Sequence, residues 1–153
     1  MSLTSEGRLA DILIFSRLSL HSKKRVFESA AEAFGDAAGL SKEAVYRGLL
    51  DRERLGSTAL GNGVAIPHCR IDDCDAPLGC LMTLSDPIDF SAPDGEGVDI
   101  VLVLLVPTEA TQAHLDLLAG VVTFLSEDSI RAAIREAIES DDLSLIFAES
   151  GLL

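Results

Sequence analysis

The first apolar stretch, Ile12 to Leu20, partly alternates with polar positions and predicts a strand. Ser22 then stands as the N-cap of a helix of about 16 residues. Val26, Ala30, Ala33, Phe34 and Ala37 share one face of it, and Gly39 ends it. Ser41 opens a second helix with Val45, Leu49 and Leu50 inward and Arg52 near its end. Leu55 to Gly63, with three glycines and an Asn, reads as a turn-rich loop. Val64-Ala65-Ile66 is a short extended piece that Pro67 keeps extended. Leu78 to Leu84 predicts a strand, and Asp86-Pro87 and Ala92-Pro93-Asp94-Gly95 predict turns. Val98 to Val106 is almost wholly apolar, as a central strand covered on both faces would be. Three helical stretches follow: Glu109 to Leu125, Glu127 to Ile138 and Asp141 to Glu149. The order implies an α/β fold with helices on both faces of a sheet, in one domain spanning residues 4–153.

Composition narrows the partners. With 12 Lys plus Arg against 25 Asp plus Glu, the net charge is −13. Such a chain repels phosphate backbones and anionic lipid, which argues against nucleic acid and membrane surfaces and favours a basic partner patch. Hydrophobic residues make up 48%, enough for a packed core. The longest apolar run, Ile100 to Pro107, is strand-sized and well short of the ~18 residues of a membrane span. Asp11 interrupts the apolar stretch near the N-terminus, and no small-residue cleavage site follows. The three cysteines, an odd number, suit free thiols in a reducing cytoplasm, the expected compartment.

Three side chains draw attention for chemistry. His68 follows Gly61-Asn62-Gly63-Val64-Ala65-Ile66-Pro67, an extended segment able to hold a nucleophile still, with glycines that would let a phosphate or partner come close. Neutral imidazole is nucleophilic near pH 7, and phosphorus on its nitrogen is labile enough for a relay. A turn histidine without a role is the plain alternative. His114 shares a helix face with Ala110, Leu117, Leu118, Val121 and Leu125, so it points to the sheet, either as a satisfied core histidine or as a donor to a phosphoryl oxygen. Arg52 lies in the charged run Asp51-Arg52-Glu53-Arg54, ordinarily a solvated helix end, although its planar fork would suit phosphate. His21, beside Ser22 and two lysines, reads as exposed and idle. A phosphate loop fails because Asn62-Gly63 stand where Lys and Ser or Thr are needed after Gly61. A dinucleotide fingerprint fails because Pro67-His68 follow where a helix should start. A metal site from His68, Cys69, Cys74 and Cys80 lacks paired CxxC spacing.

Arg52-Glu53-Arg54-Leu55-Gly56-Ser57-Thr58, followed by Gly61-Asn62-Gly63-Val64-Ala65-Ile66-Pro67-His68, resembles the IIA domain of the phosphoenolpyruvate-dependent phosphotransferase system. The resemblance is to the fructose and mannitol type, and within it to nitrogen-regulatory IIA proteins. Ser22-Lys23-Lys24-Arg25 and Val98 to Pro107 with Gln112-Ala113-His114-Leu115 extend it over nearly the whole chain. It implies a mixed five-stranded sheet flanked by helices, no metal and no organic cofactor. It implies that His68 is the phosphorylated residue, that Arg52 and His114 are its supporting groups, and that Ser57 and Thr58 lie on the loop beside it. An HPr-type phosphocarrier would be the donor. A transporter or sensor kinase would be the regulatory target, or a IIB domain of a sugar permease the acceptor. Cys69 departs from the glycine usual in the family, which sets a thiol beside the acceptor. Arg70 stands where a lysine is common and keeps the local positive charge.

Overall fold

A computed structural model of the chain describes residues 7–109 and 111–153. It has eleven elements among them: β1 (Asp11–Leu18), α1 (Lys23–Ala38), α2 (Lys42–Arg54), β2 (Ala59–Gly61), β3 (Val64–Ala65), β4 (His68–Ile71), β5 (Leu78–Ile88), β6 (Val98–Pro107), α3 (Gln112–Leu125), α4 (Asp128–Glu136) and α5 (Ser140–Ala148).

The helix ends follow from their caps. The Ser22 hydroxyl accepts from Arg25 N at 3.2 Å, and Gly39 closes α1 at φ 69°, its N–H donating to Gly35 O. The Ser41 hydroxyl accepts from Ala44 N at 3.2 Å, and Thr111 caps α3 through His114 N. The helix expected from Glu109 therefore starts three residues later; Ala110 itself lies outside the described residues.

All strands join one mixed sheet in the order β1-β5-β6-β3-β2, with β4 also on β6. The sheet thus has six strands, because the segment around the glycine-rich loop contributes three short ones. β6 runs antiparallel to β5 along one edge and parallel to β3 and β4 along the other. β3 and β4 share one register: Val64 lies opposite Ile100 and His68 opposite Leu104. They form one extended segment with Ile66-Pro67 between them. Proline has no N–H to donate, yet its carbonyl still accepts from Leu104 N at 2.9 Å.

Alternation along these strands sorts the core into two layers. Val101, Val103 and Leu105 of β6 pack with Ala65 and Ile71 against Val26, Phe27, Ala30 and Phe34 of α1 and Val45 and Leu49 of α2. Ile100, Leu102 and Leu104 pack with Val64 and Ile66 against Leu117, Val121 and Leu125 of α3, Ile134 of α4 and Leu143 and Phe147 of α5. Helices therefore cover both faces, as expected. Asp86-Pro87 differs from the expected turn: both residues lie within β5, where the register shifts between Thr83 and Ile88. β1 stops pairing at Leu84, so the missing Pro87 N–H takes nothing from a ladder on that side.

Candidate functional site

His68 opens β4, and its alternation decides its surroundings. Like Val64 and Ile66 it lies on the α3 side of the sheet, whereas Cys69 and Ile71 turn to α2. His68, Arg70, Leu104, Val106, Thr111, His114, Leu115, Leu117 and Leu118 line one cavity of about 140 Å³. Two residues separated by 46 positions, His68 and His114, thereby share one pocket walled mainly by leucine and valine.

His68 Nδ1 lies 2.8 Å from Ile66 O. A carbonyl only accepts, so Nδ1 carries the proton and Nε2 keeps a free lone pair. Burial pushes the imidazole pKa below its usual 6.5, and the nearby Arg52 charge pushes the same way. The Ile66 carbonyl and Glu53 oppose them only in part. His68 is therefore held neutral near pH 7. On α3, His114 stands half-buried where the helical face predicted it, and its Nδ1 is buried without a hydrogen-bond partner.

Arg52 approaches from the other layer, in the last turn of α2. The charges around it are paired away from it: Arg54 meets Asp51 at 3.5 Å and Glu53 meets Lys23 at 2.9 Å. Among the described residues Arg52 makes no ion pair, and it donates to Gly56 O at 3.0 Å. The buried Glu53 also accepts from Thr58 N and from the Thr58 hydroxyl, at 3.1 and 2.6 Å to Oε1. The Ser57 hydroxyl donates to Phe90 O at 2.6 Å. Both hydroxyls are thus committed to holding the loop beside Arg52, and neither lines the cavity.

Two expectations from the motif change. The tight glycines do not open the backbone towards His68. Asn62-Gly63 turns at the far end of the segment, where Asp94 accepts from Asn62 N at 2.9 Å and Arg135 donates to Asn62 O at 2.6 Å. Nor does Cys69 sit against the imidazole. Its sulfur faces Gly48 of α2, and burial raises its thiol to about 12, so it stays protonated and poorly nucleophilic. Cys80 is likewise buried, its thiol at about 12, and among the described residues no three His, Cys, Asp or Glu side chains are grouped to hold a metal. Arg70, two residues beyond His68 on the same strand face, lines the cavity and brings to it the local positive charge expected at that position. His21 is exposed, with Nε2 3.3 Å from the Ser19 hydroxyl.

Comparison with known proteins decides the family. Residues 9–150 match the family described as phosphoenolpyruvate-dependent sugar phosphotransferase system, EIIA 2. The chain belongs to it. This EIIA domain is 40% identical over 129 residues to a nitrogen regulatory protein of Pseudomonas aeruginosa, covering 84% of each chain. Its fold superposes with TM-score 0.80 on nitrogen regulatory protein IIA-Ntr from Neisseria meningitidis, at 36% identity over 89% of this chain and 91% of that one. The Escherichia coli mannitol IIA, solved in complex with phosphorylated IIB, shares the fold at TM-score 0.73 and 18% identity, over 88% and 93% of the two chains. No helix among the described residues of this EIIA domain is long and apolar enough to cross a membrane.

Proposed function

We propose that Nε2 of His68 accepts a phosphoryl group from an HPr-type phosphocarrier in the cytoplasm. The observation that carries the reading is the 2.8 Å contact from Nδ1 to Ile66 O, which supports Nε2 as the nucleophilic nitrogen in a cavity shared with His114. In the transfer, the P–N bond to the donor histidine breaks as the P–N bond to Nε2 forms. The donor imidazole recovers its lone pair, and the proton on His68 Nδ1 stays there throughout, donated in a hydrogen bond to the Ile66 carbonyl. Such a transfer is mainly positioning and charge stabilisation. Arg52 and Arg70 supply cations on two sides, and the unpartnered His114 ring supplies a hydrogen bond to a phosphoryl oxygen. The apolar wall of Leu104, Val106, Leu117 and Leu118 excludes water that would hydrolyse phosphohistidine. Leu115 on the cavity rim is 58% exposed, and Leu55, beyond Arg52, is 84% exposed. A bare leucine on the rim of a small pocket suits docking of a protein donor.

Downstream, the likeness to nitrogen regulatory proteins over most of their length favours a regulatory role, read by a transporter or a sensor kinase. A IIB domain of a sugar permease is the second acceptor, favoured by the mannitol IIA fold. Incubation with phosphoenolpyruvate, Enzyme I and the HPr-type carrier is expected to label the chain with acid-labile, base-stable phosphate, and His68→Ala to abolish it. Full labelling of the folded His68→Ala protein overturns the assignment.

A further inference from the structure

At the opposite end of the sheet from His68, a second cavity of about 300 Å³ is lined by Arg17, Thr83, Leu84, Ser85, Asp99 and Arg135. Its size is at the lower end for small-molecule sites. In a chain of net charge −13, two guanidiniums on one cavity are unexpected. Arg135 is balanced there: its Nε and Nη2 meet the Asp99 carboxylate at 3.0–3.2 Å. Arg17 is not. Among the described residues it has no ion-pair partner, and its guanidinium donates there only to Arg135 O, at 3.3 Å.

The backbone is bent to place it. Arg17 sits at φ +53°, in a left-handed conformation that a side chain of this kind seldom adopts, where the β1 register against β5 shifts between Phe15 and Leu18. Its own N–H donates to the Thr83 hydroxyl at 2.7 Å, which holds the bulge. A bulge re-aims one side chain out of the strand's alternation, and here the side chain re-aimed is a cation that lines a cavity.

We propose that this cavity binds a small phosphate-bearing anion, with Arg17 as the principal ligand and Arg135 as a flanking donor; the Ser85 hydroxyl lines the cavity but donates to Leu18 O at 3.3 Å. An exposed guanidinium with most of its N–H groups free, at the mouth of a solvent-open polar cavity, matches the geometry of phosphate oxygens. The site also touches the backbone that leads to His68. Arg135 Nη2 holds Asn62 O at 2.6 Å, and Asp99 N and Ile100 N both donate to Gly63 O at 3.0 Å. An anion that draws Arg135 off Asn62 would loosen the turn from which β3 and β4 run to His68, about five residues or roughly 17 Å along the sheet.

The test is a backbone-amide NMR titration of the intact protein with inorganic phosphate and, separately, glycerol 3-phosphate, against sodium chloride of equal ionic strength. Saturable shifts are expected at Arg17, Ser85, Asn62 and Gly63 with the two phosphates and not with chloride. Arg17→Gly removes the guanidinium while suiting φ +53°, so it keeps the fold, checked by its melting temperature. It is expected to weaken binding at these amides at least about tenfold, the loss of one charged hydrogen-bonding partner, with Arg17→Lys in between. Shifts that chloride reproduces, shifts confined to the His68 cavity, or undiminished affinity in folded Arg17→Gly would each overturn the site. These outcomes are independent of whether His68 is phosphorylated.

Discussion

Burial around His68 does two things with one cause. It would keep water from the phosphoramidate proposed to form there, and it disfavours the imidazolium, which could not attack phosphorus. The pKa is lowered from 6.5, so the neutral ring persists to a lower pH than in an unfolded chain. An NMR titration of the His68 ring is expected to give a midpoint below 6.5, and phosphoryl acceptance should hold as pH falls through 6.5 before it declines. The stability consequence has the same origin. As pH falls past 6.5 the unfolded chain takes up this proton first, so the group costs the fold stability there until the folded ring is also protonated. A midpoint at or above 6.5 would mean the ring is better solvated than its setting implies. For the neighbouring groups, His114→Ala and Arg52→Ala are each expected to slow phosphoryl transfer by on the order of 10²-fold, the usual loss for one preorganised donor. Arg52→Lys should also be slow, because an ammonium cannot reproduce the planar fork. Wild-type rates in both alanine variants, measured at equal donor concentration, would move the pocket elsewhere.

The segment from β2 through β4 shows how a helix on one side of the sheet disciplines a loop on the other end of it. Gly63 has φ +79°, and a Cβ there would collide with Arg135 Nη2 and stand 2.8 Å from Asp99 Oδ1. Gly63→Ala is therefore expected to lower stability in urea denaturation by about 1–3 kcal/mol, from left-handed strain together with a disturbed Arg135 seat. Arg135→Ala in the same chain should recover part of that loss. If the double variant is simply additive, the clash with Arg135 is not the cause. This arrangement also marks what could be read from sequence. Caps at Ser22, Gly39 and Ser41, and the apolar run of β6, are local signals, and they gave α1, α2 and the central strand almost to the residue. β2 and β4 were not legible as strands. Four residues beginning at His68 become a strand only because β6 offers its free edge in register with them. Asp86-Pro87 reads as a turn by composition, but β1 has already ended there and the register against β6 shifts around it, which leaves it room inside β5. In the site, the helical face put His114 towards the sheet, but only the fold brings it to His68. The orientation of Cys69 away from His68 follows from alternation once β4 exists.

Taken whole, the molecule is an acidic body with the His68 cavity at the edge of a layered sheet, and this bears on how a phosphorylation state there could be read. Phosphorylation adds roughly −1.5 to −2 charges at one place, if it ionises like other phosphorylated side chains. At roughly 6 Å from a partner's charge, with an effective dielectric near 20, each unit is worth roughly 3 kcal/mol, less in salt. Moving a partner between mostly bound and mostly free needs a few kcal/mol of differential affinity, so the electrostatic change alone is sufficient. The rest of the surface, at net −13, already favours basic partners in either state. Discrimination must therefore come from the few contacts next to His68, where Leu115 offers apolar surface beside Arg70. An apolar or acidic partner patch would accept the unmodified rim and reject the phosphorylated one. The expected outcome is a transporter or sensor kinase captured from extract by only one of the two phosphorylation states, with that preference shrinking as salt rises. Rapid passage of the phosphate to a sugar-specific IIB domain, with uptake of one sugar depending on this chain, would instead make it a sugar carrier. Equal capture of the target in both states would leave the pocket a relay without a switch.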